Sequence, residues 1–108
     1  MSELPAYYYV DIHDPADEEK AKRFRAITDK MLSVYLKKNA DYGNSFEKSL
    51  DEFGPLAYVV RANDKMERIK QLAQGEARVK DESFRDTVLD LANYSIMYLM
   101  WEGSKDGR

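Results

Sequence analysis

Apolar positions recur every three to four residues along most of this chain, the period of an amphipathic helix, and no segment alternates convincingly enough for a half-buried strand. Asp14-Pro15-Ala16-Asp17 predicts a helix start, with Asp as N-cap, Pro at the first helical position and an acid at the third. Phe24, Ile27, Met31 and Val34 or Tyr35 continue that helix at heptad-like spacing to about Asn39. Asp41 to Phe46 reads as a turn, with Gly43 free to adopt positive φ. A short helix from Ser45 to Phe53 should stop at Gly54-Pro55. Pro55 opens the next helix, which runs to about Gln74 with Tyr58, Val59, Ala62, Met66, Ile69 and Ala73 on its inner face, and Gly75 ends it. Ser83 and Asp86 read as a capping box for a last helix that reaches Glu102. The pattern predicts an all-α fold, a small helical bundle of three long helices and one short helix, with an extended N-terminal arm. The arm is placed at 1–13, where Ala6 to Val10 is β-prone, a single domain at 14–103 and a flexible tail at 104–108.

Polar residues break the last helix along one stripe. Asp86, Asp90 and Asn93 are spaced i, i+4, i+7, which sets them within roughly 60° of arc. Val88, Leu91, Ala92, Ile96, Leu99 and Trp101 cover most of the rest, so burial on most sides is expected. An unpaired carboxylate held there costs several kcal/mol. Asp90 must therefore meet a cation, either a metal ion or an Arg or Lys side chain.

With 108 residues, the chain suffices for one core, and 44% hydrophobic with 34% charged residues is typical of a folded domain. A net charge of −3 argues against a broad electrostatic grip on a nucleic acid duplex. The absence of cysteine excludes disulfides, thiolate metal sites and thiol nucleophiles. No basic segment precedes an apolar one at the start, and Asp90 and Asn93 interrupt the best candidate span. The expectation is a cytoplasmic protein that does not engage a membrane.

Asp64 and Glu67 lie i, i+3 on one helix, and Asp86 and Asp90 lie i, i+4 on the next. If these helices pack antiparallel, four carboxylates can converge. At a spacing of about 5 Å and an effective dielectric of about 20, each like-charge pair repels by roughly 3 kcal/mol. Such a cluster needs a divalent cation or protonation, and all-oxygen ligation suits Mg²⁺ or Mn²⁺. The alternatives are a cap for Asp86, a solvated face for Asp64 and Glu67, and an ion pair with Arg61 or Arg68 for Asp90. Arg61 and Arg68 flank Asp64 on nearly one stripe, with Lys65 beside them, a pattern suited either to phosphate oxygens or to neighbouring acids. Tyr42, Phe46, Tyr94 and Trp101 are candidates to stack on a base, although aromatics at helical spacing are more often core. The single histidine, His13, sits in the turn leading into the first helix, which disfavours His-based catalysis. No glycine-rich phosphate loop is present.

The runs Lys38 to Phe46, Arg61 to Arg68, Val79 to Ser83 and Asp86 to Tyr94, with their Asp-Tyr-Gly and Asp-Leu-Ala-Asn-Tyr blocks, resemble the nucleotide modification associated domain 1 family. That family is common in phages and their hosts and is similar to the all-α MazG-like nucleotide pyrophosphohydrolases. Those enzymes hold Mg²⁺ with an E-x-x-E on one helix and an E-x-x-D on the next. Asp64-x-x-Glu67 fits the first motif with one change. In the second, Asp90 fits, but Thr87 stands where the other acid should be and Asp86 lies one residue further back.

The resemblance implies a nucleotide ligand. The leading expectation is metal-dependent hydrolysis of a (deoxy)nucleoside triphosphate to monophosphate and pyrophosphate, with Asp64, Glu67, Asp86 and Asp90 as catalytic metal ligands. Arg61, Lys65 and Arg68 would hold phosphates, and Tyr42, Asn44, Phe46 and Asn93 would contact the rest of the nucleotide. The first alternative is a non-catalytic binder that sequesters a (cyclic) nucleotide immune signal for a phage in the host cytoplasm. The second is an oligomeric helical interaction module. The apolar arm favours a homo-oligomer.

Overall fold

The computed structural model describes residues 14–39, 43–75 and 82–105, and every regular element among them is a helix. These are α1 (Pro15–Lys38), α2 (Gly43–Phe53), α3 (Pro55–Leu72) and α4 (Glu82–Lys105), an all-α small bundle with three long helices and a short one. The expected arm at 1–13, the turn residues at 40–42 and the 76–81 stretch lie outside the described residues.

The chain divides into two compact units, residues 1–32 and 33–108. In the first, Asp14 caps α1 as expected: its Oδ1 accepts from the Ala16 N–H at 2.8 Å, and its carbonyl accepts from Asp17 N–H at 3.0 Å. Phe24 and Ile27 of that helix are exposed.

The core sits in the second unit. Phe46 and Leu50, one helical turn apart on α2, are only 1% exposed and pack with Ala57, Tyr94 and Met97. Tyr35, Tyr58, Tyr98 and Trp101 wrap this cluster. Phe46 meets Tyr94 edge-on at 4.9 Å between centroids, and Tyr58 stacks on Tyr98 at 5.2 Å, the offset geometries that aromatic quadrupoles favour.

Several boundaries differ from expectation. α2 begins at Gly43, two residues ahead of Ser45, and Asn44 N–H bonds to Asn39 O at 3.0 Å, so the expected turn at Gly43 and Asn44 is already helical. α4 starts at Glu82, which puts Ser83 inside the first turn rather than at the cap, and it continues through Lys105. The face of α3 is also rotated. Ala57, Tyr58, Arg61, Ala62, Lys65 and Ile69 turn inward, while Val59 and Met66 are exposed. α4 is covered on one side only, since Val88, Ile96, Leu99 and Met100 are exposed rather than buried.

Between α2 and α3, Gly54 takes φ 68°, ψ −154°, a conformation open essentially to glycine alone. Its N–H bonds to Leu50 O at 2.7 Å, and its carbonyl accepts from Ala57 N–H, so one residue closes one helix and opens the next. A Cβ there would meet no atom within 4 Å, so the cost of adding one is conformational rather than steric. Gly54→Ala should destabilise the protein by about 1–3 kcal/mol, read as a lower thermal midpoint.

Asp51 ties α2 to α4. Its Oδ1 accepts from Trp101 Nε1 at 2.9 Å and from Lys105 Nζ at 2.9 Å. The Trp101 hydrogen bond, followed by Lys105, holds its carboxyl below the ordinary value of 3.8. A depressed folded value means the contribution is present above 3.8 and is lost as pH falls through the folded value. Trp101 fluorescence should therefore report loosening of this contact on acidification below that value, and Asp51→Asn should remove the acid step.

Candidate functional site

α3 and α4 run antiparallel, and their contacts pair off in a regular series. Arg61 Cζ lies 6.0 Å from the Tyr94 ring centroid, Lys65 Nζ lies 3.2 Å from Asp90 Oδ2, and Arg68 Nε donates to Thr87 Oγ1 at 3.2 Å. Each step of three or four residues up α3 is matched by the same step down α4. Lys65 Nζ also stands 5.9 Å from the Tyr94 centroid, so that ring faces two cations. Beyond Arg61, and off this series, Tyr58 reaches Ser95, with their oxygens 2.7 Å apart. Ser95 gives its only hydrogen to Leu91 O, so Tyr58 is the donor of that bond.

Asp90 thus meets a cation, and the cation is Lys65 rather than Arg61 or Arg68. Both side chains are about a quarter exposed, at 28% and 26%. Thr87 is buried and was not singled out as a ligand-facing group. Its hydroxyl donates to Ser83 O at 2.6 Å while accepting from Arg68. The only signal for this role was its position opposite Arg68 once the antiparallel pairing is laid out.

The other expected acids stand apart from that pair. Asp64, Glu67 and Asp86 are exposed, and Glu67 bonds to Lys70 Nζ at 3.1 Å on its own helix. No group of three or more His, Asp or Glu side chains among the described residues is placed to hold a metal ion. Asp64, Glu67, Asp86 and Asp90 are thus not gathered into a preformed Mg²⁺ or Mn²⁺ site, and Asp90 is paired with Lys65.

Of the residues expected to touch a base or sugar, Phe46 is buried core. Its ring packs edge-on against Tyr94 and is only 1% exposed. Asn44 is exposed at the start of α2, Asn93 is buried in α4, and Tyr42 lies outside the described residues. Tyr94 and Trp101 are structural, as their helical spacing suggested.

The Lys65–Asp90 pair can be weighed directly. In chelator, Asp90→Asn should leave Lys65 half-buried without its anion and cost about 1–2 kcal/mol, below the 3–5 kcal/mol of a fully buried pair. Replacing both residues with Met and Leu should recover part of that loss in urea unfolding. Unchanged or increased stability of Asp90→Asn would show that Lys65 is not what satisfies Asp90.

Comparison with curated proteins and with solved structures finds no match. The model of one protein family matches residues 38–101, a span that holds α2, α3 and most of α4, including every rung between the last two helices. The rungs and their cations therefore lie wholly within the matched segment, and the chain belongs to the nucleotide modification associated domain 1 family.

Proposed function

We propose that this protein binds a phosphorylated nucleotide along the Arg61–Lys65–Arg68 edge of α3 and holds it without needing a preformed metal cluster. One observation carries the reading: three cations on successive turns are each oriented by a partner on α4. Asp90 balances Lys65, whereas Tyr94 and Thr87 position Arg61 and Arg68 without cancelling their charge. Guanidinium groups held in place suit phosphate oxygens, which they meet by two parallel hydrogen bonds. Family membership supports a nucleotide as the ligand. Sequestering a nucleotide signal, in a phage or its host, is the role this reading describes.

The alternative is a Mg²⁺- or Mn²⁺-dependent nucleoside triphosphate pyrophosphohydrolase, with kinship to the MazG-like enzymes. Its favouring observation is that Asp64, Glu67 and Asp86 all lie on α3 and α4 within reach of solvent cations. The exposed Glu67–Lys70 pair, in a class worth about 0–1 kcal/mol, would yield easily to a metal. A homo-oligomer fits either reading. Val88, Ile96 and Leu99 form an exposed apolar stripe on α4 that a second copy would cover.

Incubation with a nucleotide panel, with and without Mg²⁺ or Mn²⁺, separates these readings. Binding should be measurable in chelator, and Arg61→Ala and Arg68→Ala should each weaken it by about tenfold, the equivalent of one charge-assisted contact. Nucleotide recovered intact after long incubation with metal supports sequestration. Pyrophosphate released only with metal supports the hydrolase, and binding of no nucleotide at all leaves the helical interaction module.

A further inference from the structure

A cleft of about 340 Å³ opens between α2 and α3, lined by Ser49, Phe53, Leu56, Ala57, Val60, Arg61 and Asp64. Its volume falls at the lower end of the roughly 300–1,000 Å³ usual for small-molecule sites. Three large apolar side chains, Phe53, Leu56 and Val60, stand exposed around a small buried floor, Ala57, so the cleft can take a flat ring. Packing of a ring there would remove apolar surface from water on both partners, which is favourable without any specific contact.

The cleft and the cations share one line. Ala57, Arg61, Asp64 and Arg68 are spaced i, i+4, i+7, i+11, so they form a single ridge on α3 about 16 Å long. Arg61 is both a wall of the cleft and the first rung of the cationic edge. A ligand with a planar ring at one end and phosphates at the other can therefore lie along the ridge, ring toward Ala57 and phosphates toward Arg68.

Asp64 decides which ring. It is an exposed carboxylate on the cleft wall and belongs to none of the ion pairs between the helices. A carboxylate only accepts hydrogen bonds, so it selects an edge that presents N–H donors side by side. Guanine offers an imino N–H and an amino group on one edge and can engage both carboxylate oxygens. Adenine and cytosine offer one amino group next to a ring nitrogen lone pair. Uracil sets its imino N–H between two carbonyls, which the carboxylate repels.

We propose that the Phe53–Val60 cleft is a base-binding subsite that prefers guanine, read by Asp64, with Arg61 joining it to the phosphate edge. This inference rests on the nucleotide-binding reading above and names the base for it.

Titration calorimetry in chelator, which removes any role of Asp64 as a metal ligand, tests it with the nucleoside monophosphates of guanine, hypoxanthine, adenine and uracil, and with ribose phosphate. Guanosine monophosphate should bind about tenfold tighter than the adenosine and uridine compounds, the discrimination expected of one bidentate contact, with inosine monophosphate between them. Asp64→Asn should erase that preference. Phe53→Ala should weaken guanosine monophosphate while leaving ribose phosphate unchanged. Both side chains are exposed, so neither substitution disturbs the core. Equal binding across the panel, or a guanine preference that survives Asp64→Asn, overturns the base subsite and leaves the phosphate edge standing. Failure of every phosphorylated compound to bind overturns the nucleotide-binding reading and this inference with it.

Discussion

Unlike partners hold α3 against α4 at each turn, and that pairing constrains everything else. Charge meets charge at Lys65–Asp90, guanidinium meets hydroxyl at Arg68–Thr87, and cation meets ring at Arg61–Tyr94. A purely apolar seam tolerates a shift in register at little cost. Here a shift of one residue would set Lys65 opposite Leu89 or Leu91, stranding a half-buried ammonium, which is expensive. The same rungs dictate where the acids go. With Lys65 turned to α4, Asp64 lies about 100° and Glu67 about 160° round the same side of α3, since successive residues advance by about 100°. That geometry is why the carboxylates spread over the surface rather than meeting between the helices.

Aromatic side chains complete the frame because each has an apolar body and, often, a polar tip. Tyr58 packs on Tyr98 and donates to Ser95, while Trp101 lies beside Tyr98 and donates to Asp51. Packing alone would hold α2 and α3 against α4 but leave their rotation loosely set. The directional bonds at the ring tips fix that rotation. The cleft inherits this definition, since Phe53 and Ser49 reach it from α2 and the remaining wall comes from α3.

Much of this was legible in the sequence and some was not, for physical reasons. Asp14-Pro15 and Gly54-Pro55 marked helix boundaries correctly because caps and proline act locally. Periodicity gave the helices but misjudged the inner face of α3. It placed Val59 and Met66 inside, whereas Arg61 and Lys65 face α4, burying their carbon stems and keeping their charged ends near partners. Spacing along one helix could narrow the partner of Asp90 to a cation, but only the register between helices singled out Lys65. Phe46 was one of the aromatics that could stack on a base, yet it opens the buried stripe of α2.

Thr87 shows how one residue type changes what the edge can do. An acid at that position would sit opposite Arg68 in a largely dehydrated spot and neutralise it. Threonine supplies an acceptor of the right reach without a negative charge, having spent its own hydrogen on Ser83 O. Arg68 is then oriented from behind while its full charge stays at an exposed position. On the binding reading proposed above, the residue type that disfavours a carboxylate cluster is thus the one that suits an anion-binding edge. Metal coordination and direct phosphate binding make opposite demands on this position, and threonine meets the second.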